Sequence, residues 1–174
     1  MICCGKGMGS GFPISGVLGK KENLDLAPPG SMSSTNSANP LACAAGLATL
    51  SELNSKKLVK RSYENGKFLH AGLKNIKDKY SSHIAYSFGK GLVASIIFKK
   101  NKIKSKNYNA SEITNEICFE CASKGLLLVR TGRESIKIGP PLTITKKEIS
   151  IGLKILDGTI SNVLNKLKIV EISE

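Results

Sequence analysis

Seven glycines and four prolines stand among the first forty residues, and they decide what this end of the chain can be. Glycine carries a large entropic cost in an ordinary helix, and proline breaks its hydrogen-bond ladder. A stretch this rich in both is expected to be loop that brings backbone close to something else. Helical order begins at Asn39-Pro40. Asn39 suits the N-cap and Pro40 the first helical position, with Leu47, Leu50 and Leu53 following at helical spacing. Small side chains over 42–48 predict that this helix packs closely against a neighbour.

The rest of the chain reads as regular structure. A helix is expected from Ser62 to Tyr80, with Leu69, Leu73, Ile76 and Tyr80 on one face. Strands are expected over Ile84–Phe88 and Leu92–Lys99, around Gly89-Lys90-Gly91, the second carrying the β-branched run through Ile96 and Ile97. Asn109 and Glu112 form a capping-box pattern opening a helix with Ile113, Ile117 and Cys121 inward and Gly125 as its stop. Strands follow over Leu126–Val129 and Ser135–Ile138, joined by a turn at Thr131-Gly132-Arg133. A second capping box, Thr145 with Glu148, opens a final helix with Ile149, Leu153, Leu156, Ile160, Val163 and Leu167 on its apolar face. From about residue 65 the order is α-β-β-α-β-β-α, a small α+β module with two helices on one face of a mostly antiparallel sheet. The organisation expected is two parts, 1–62 and 63–174, of which the first cannot build a core of its own.

Charge and cysteines narrow the function. The net charge is +13 over 174 residues, and positions 51–174 hold 23 of the 26 basic residues. A basic surface attracts nucleic acid, anionic membrane or acidic substrates. Here the lysines are scattered singly, apart from a stretch over Lys99–Lys106 that reads as a solvated loop. With no Trp, five Phe and four Tyr there is no aromatic interleaving, which weighs against nucleic-acid recognition. The uncharged run Gly7–Gly19 carries five glycines and resembles neither a membrane span nor a signal peptide. Five cysteines, an odd number in a chain of this size, point to reduced thiols and a soluble, cytoplasmic protein. Cys118 and Cys121 form a CxxC within a helix, without a second pair or a nearby His, and read as core thiols rather than metal ligands. Cys3-Cys4 read as strand residues, and His70 and His83 as structural.

Two segments carry chemistry. Gly5-Lys6-Gly7-Met8-Gly9-Ser10-Gly11-Phe12-Pro13 matches neither a phosphate-binding Walker loop nor a dinucleotide fingerprint. It does set one lysine at a strand end among residues that leave its surroundings open, which suits an amine that reacts with carbonyls. By composition alone Lys6 is one lysine among 23. Ser33-Ser34-Thr35-Asn36-Ser37-Ala38-Asn39-Pro40 places hydroxyls and free N–H groups just before a helix. That is either an anion site, most naturally for phosphate, or a plain capping loop.

Together with Gly125-Leu126-Leu127-Leu128 and Ile138-Gly139-Pro140-Pro141-Leu142-Thr143-Ile144-Thr145, these segments resemble the class III aminotransferases that use pyridoxal phosphate, among them the 4-aminobutyrate, ornithine and acetylornithine enzymes. The resemblance runs over essentially the whole chain and implies an α/β fold, the C-terminal part of a fold-type I transferase. It implies the end of the large cofactor domain, then a small α+β domain. Lys6 matches the lysine that forms the Schiff base with the cofactor and shuttles a proton. Thr35 matches the threonine that reaches the cofactor phosphate across a homodimer interface, and Ser34 before it is expected to bind the cofactor too, at the substrate or phosphate side. Lys137 stands where many relatives carry an arginine that grips the substrate carboxylate, and a lysine cannot offer the bidentate fork. Arg130 and Arg133 lie nearby as possible substitutes. The implied activity moves an amino group from an amino acid or ω-amino compound to a 2-oxo acid. The family's aspartate, stacking aromatic and phosphate loop lie upstream of its lysine, and five residues precede Lys6. The expectation is therefore a C-terminal portion, inactive alone. Rival readings are an aminomutase or decarboxylating relative sharing Lys6 and Thr35, and a basic non-catalytic module that binds nucleic acid.

Overall fold

A computed structural model describes residues 1–99, 109–132 and 134–166. The expectations for most of the lysine-rich stretch, for Arg133 and for Leu167 fall outside the described residues. The chain divides into two compact units, Met1–Leu58 and Val59–Glu174, a boundary four residues before the one expected from sequence.

The first unit is more ordered at its start than its composition suggests. Strand β1 (Ile2–Cys4) pairs antiparallel with β2 (Gly16–Leu18), in the register Ile2↔Leu18 and Cys4↔Gly16. A single 3-10 turn (Lys6–Gly9) lies in the intervening loop, and a four-residue helix α1 (Lys21–Leu24) follows β2. Helix α2 (Pro40–Ser55) starts where expected: the Asn39 carboxamide oxygen accepts from the N–H of Leu41 at 3.0 Å and of Ala42 at 3.4 Å. The face of α2 that is buried is not its leucines. Ala42 and Gly46 are buried, whereas Leu47 and Leu50 are exposed. The reason is steric: a Cβ added to Gly46 would lie 3.3 Å from Ile14 and 3.8 Å from the Met8 carbonyl, so only a small-residue face admits the 3-10 turn. Ala42 and Leu58 are the buried apolar side chains described in this unit, too few for a hydrophobic core.

The second unit holds the core. Helix α3 (Leu58–Lys79) leads into a four-stranded antiparallel sheet of order β3-β4-β6-β5, built from β3 (Ile84–Lys90), β4 (Val93–Phe98), β5 (Val129–Thr131) and β6 (Ser135–Ile138). Helix α4 (Ala110–Ser123) joins β4 to β5, and α5 (Lys146–Lys166) follows β6. One face of the sheet, with Ala94, Ile96, Phe98, Ile136 and Ile138, is buried against Leu69, Leu73 and Ile76 of α3, Ile113, Ile117 and Cys121 of α4, and Ile149, Leu156, Ile160 and Val163 of α5. Three helices, not two, feed this core. Tyr80 also belongs to it, and its hydroxyl donates to the Asp157 carbonyl at 3.0 Å.

Helix α3 closes on the β3–β4 hairpin because Gly66 has no side chain. A Cβ there would lie 2.4 Å from the Gly91 carbonyl oxygen, and Gly91 itself turns with φ +57°. His70 seals the contact through Nε2 to the Gly91 carbonyl at 3.1 Å, a structural use of that histidine, and His83 is buried beside Ser82. Both capping boxes form, at Asn109/Glu112 and at Thr145/Glu148. Strand β5 begins at Val129, three residues later than the sequence suggests. After Gly125, at φ +83°, the Leu126 N–H still bonds the Cys121 carbonyl at 2.9 Å, so this stretch finishes the helix before pairing begins.

Candidate functional site

The first group of site residues is built on β1 and α2. Leaving β1, Gly5 is fully extended and Lys6 turns to φ +50°, the left-handed region that side-chain-bearing residues avoid at roughly 1–2 kcal/mol. Ser10 does the same at φ +48°. Two contacts hold the turn in place. A Cβ on the buried Gly9 would lie 2.7 Å from Ile14, and Thr49 of α2 donates to the Ser10 hydroxyl at 3.0 Å. The result is a lysine whose backbone is fixed in an unfavourable conformation while its side chain is exposed. Among the described residues it has neither hydrogen bond nor ion pair. Backbone strain held by packing is the kind of feature that clusters at working sites.

The second group is the loop before α2. Here the structure separates the two candidates. The Ser34 hydroxyl lies 2.9 Å from that of Ser37, the Ser34 N–H bonds the same hydroxyl at 3.1 Å, and the Ser37 N–H returns to the Ser34 carbonyl at 3.0 Å. Ser34 is thus engaged in holding the loop. Thr35 is exposed, with no such bond among the described residues. A polar cavity of about 350 Å³ opens between this loop and the β2 approach, lined among others by Ser15, Ser34, Asn36, Ser37 and Asn39. Neither Lys6 nor Thr35 lines it. Asn36 and Ser37 were not singled out from sequence, although their position upstream of the Asn39 cap is the signal that would have found them.

Lys137 belongs to the second unit. On β6 it alternates with the buried Ile136 and Ile138 and is exposed on the other face of the sheet. Its cross-strand partners are Ser95 on β4 and Val129 on β5. Arg130 pairs with Ile136 and so lies on the helix-covered face, where its Nη1 donates to the Ser111 hydroxyl at the start of α4. Directly opposed residues of an antiparallel pair share a face. Arg130 therefore cannot stand in for Lys137.

The thiol pair on α4 is built into the core. Cys121 is fully buried and Cys118 packs against the same cluster. Burial pushes the Cys118 thiol up to about 11, with the neighbouring Cys121 adding to the effect, and raises Cys121 as well. Both are kept as unreactive thiols. All five cysteines are free, and among the described residues no cluster of three metal-ligating side chains forms. No helix among them is long and apolar enough to cross a membrane.

The model of one protein family, class III aminotransferases, matches residues 1–160. The chain belongs to that family. It is 37% identical over 145 residues to the acetylornithine aminotransferase of Prochlorococcus marinus, covering 83% of this chain and 32% of that one. It is 36% identical over 166 residues to an alanine/serine racemase of Pyrococcus horikoshii, covering 94% of this chain and 34% of the relative. Among solved structures, the acetylornithine aminotransferase of Elizabethkingia anophelis superimposes with a TM-score of 0.79 at 30% identity, over 92% of this chain and 38% of that one. The ornithine aminotransferase of Toxoplasma gondii, described with pyridoxal phosphate at its active site, gives 0.83 at 26% identity, over 95% and 37%. The fold is that of the class III enzymes, α/β with mixed helices and sheets. The chain spans about a third of the length of the curated relatives it matches.

Proposed function

We propose that these 174 residues serve as the C-terminal part of a pyridoxal-phosphate-dependent aminotransferase, a cytoplasmic homodimer that moves an amino group from an amino acid or ω-amino compound to a 2-oxo acid. The observation that carries this reading is Lys6: an exposed amine without an ion pair, on a strained turn locked to α2, within a chain of this family.

The donor set fits the cofactor. An amine suits its aldehyde, and exposed hydroxyl and N–H groups ahead of α2 suit its phosphate. When bound, pyridoxal phosphate supplies the electron sink for breaking bonds at the amino-bearing carbon. Lys6 would hold the cofactor through its aldehyde, and its Nζ would hold a proton and return it. Thr35 Oγ1 would donate to the phosphate, with Ser34 keeping the loop in the conformation that presents it. Lys137 Nζ would hold a substrate carboxylate by a single point charge. The two-part division at 62/63 belongs to the same reading: the end of the cofactor domain, then the small C-terminal domain. On this reading the 174 residues alone do not turn over.

Borohydride reduction of the cofactor-loaded full-length protein, followed by peptide mass mapping, tests it. The expected result is one cofactor adduct, on Lys6, absent from Lys6→Ala. An adduct mapping to another lysine would overturn the assignment. A second reading, proton transfer without amino exchange, is favoured by the racemase among the relatives. Aminomutase and decarboxylating chemistry would use the same Lys6 and Thr35. Product analysis separates all three from transamination, which alone requires a 2-oxo acid acceptor.

A further inference from the structure

The two C-terminal segments singled out in the sequence, 125–128 and 138–145, meet at a cavity in the second unit that the chemistry of Lys6 and Thr35 does not use. It measures about 70 Å³. Leu73 of α3, Ile138 of β6 and Leu156 of α5, all buried, form its floor, and the half-buried Leu126, Leu128 and Ile144 form its rim. Glu148 is the one polar side chain in the lining, and its carboxylate is spent on the Thr145 N–H at 2.7 Å and hydroxyl at 2.6 Å. Polar bonds outside the cavity hold its walls apart. The buried Asn65 donates from Nδ2 to the Ile144 carbonyl at 2.8 Å, and Arg61 Nη2 reaches the same oxygen at 3.2 Å. Pro140, also in the wall, has a fixed φ, and Gly152 of α5 brings no side chain to fill the space. Collapse of the cavity would break those bonds.

We propose that this cavity is a binding site for one small, uncharged, apolar molecule, a noble-gas atom or a hydrocarbon of about two or three carbons. A charged guest would be desolvated against leucine and isoleucine with nothing to pair it. Water competes poorly. Each molecule needs about two to four polar partners, and the one polar group in the lining is already bonded. Size sets the upper limit, since an apolar cavity of about 150 Å³ accepts benzene and this one has less than half that volume. The driving force is burial of the guest's apolar surface, together with the dispersion contacts that the wall side chains cannot make across the gap. The site uses neither Lys6 nor Thr35, so it stands whichever reaction the intact protein runs.

The test needs no cofactor. The 174-residue chain, ¹³C-labelled at its Ile and Leu methyls, is equilibrated with rising pressures of xenon and, separately, with benzene. Xenon should give saturable shifts at Leu73, Leu126, Ile138 and Ile149, while Ile84 and Ile117, in the same core but outside the cavity lining, stay unmoved. Benzene should move none of them. Gly152→Ala puts a methyl into the space, 3.4 Å from Leu126, and should weaken xenon binding about tenfold or more. Gly158→Ala makes the same change on the same helix, where a Cβ meets nothing within 4 Å, and should leave xenon binding as it was. The pair separates filling of the cavity from the gain in helix propensity that both share. Shifts that stay linear in pressure, shifts as large at Ile84 and Ile117, binding that survives Gly152→Ala, an equal loss in Gly158→Ala, or benzene binding as strong as xenon would each overturn the proposal.

Discussion

Lys6 and Thr35 are exposed side chains on loops that the first unit holds by its own contacts, at Gly9–Ile14 and Ser10–Thr49 for the one and at Ser34–Ser37 for the other. Both were picked out by the resemblance to the family, since residue type and spacing alone left a surface lysine and a capping loop as readings. What the spacing did not contain was the difference between Thr35 and its neighbour: Ser34 is spent on Ser37, a choice made by the loop's three-dimensional turn rather than by residue type. The consequence is testable. Thr35→Ala in the full-length protein should weaken cofactor binding about ten- to a hundredfold, the loss of one hydrogen bond to a charged group of roughly 1.5–3 kcal/mol, with an unchanged unfolding midpoint for the apo form. An unchanged cofactor dissociation constant would reduce the motif to a helix cap. Ser34→Ala should instead loosen the loop, and with it increase hydrogen exchange over 33–38. The departure at Lys137 was visible in sequence too. That Arg130 cannot replace it was not, because which face a residue takes depends on the strand beginning at Val129 rather than Leu126.

At the scale of elements, capping chemistry was the most legible signal in the chain. Asn39, the Asn109/Glu112 box and the Thr145/Glu148 box all open helices where the sequence placed them, since each depends on residues no more than three apart. The leucine face of α2 misled for the opposite reason. Periodicity shows which residues share a face but not which face a neighbour covers, and the close approach of Met8 and Ile14 requires the small one. The β1–β2 pairing was hidden among glycines, three residues per strand being too short to establish a period. The Thr145/Glu148 box also sets a pH dependence. The Thr145 hydroxyl, then its N–H, holds the Glu148 carboxyl below the usual range in the folded protein. A depressed folded-state value means the stabilisation is fully present above the unfolded carboxylate pKa and is lost as pH falls through the lower, folded one. Glu148→Gln should therefore lower the melting temperature near neutral pH and match the wild type in acid. A constant difference from pH 7 down to pH 2.5 would show that the carboxylate's charge contributes nothing.

For the molecule as a whole, the uneven distribution of core decides how the chain behaves in solution. Among the described residues twenty buried apolar side chains form one cluster, all of them between Leu69 and Leu164, whereas Met1–Leu58 contributes Ala42 and Leu58 as its buried apolar side chains. The second unit carries the cooperative stability, and the first, which holds Lys6 and Thr35, depends on a short hairpin, a strained turn and a small-residue helix contact. Two-stranded pairs are at best marginally stable in water. Native-state hydrogen exchange on the 174-residue chain should accordingly show amides of β1, β2 and the Lys6–Gly9 turn opening with free energies near zero, and amides of β4, β6 and α4 opening only with global unfolding. Ile117→Ala, a fully buried truncation on α4, should lower the global value by about 2–5 kcal/mol and leave the exchange of residues 1–40 unchanged. Protection of β1 that rises and falls with Ile117→Ala would mean instead that the two units unfold as one. It would also mean that the Lys6 turn is held by more than its own contacts with Ile14 and Thr49.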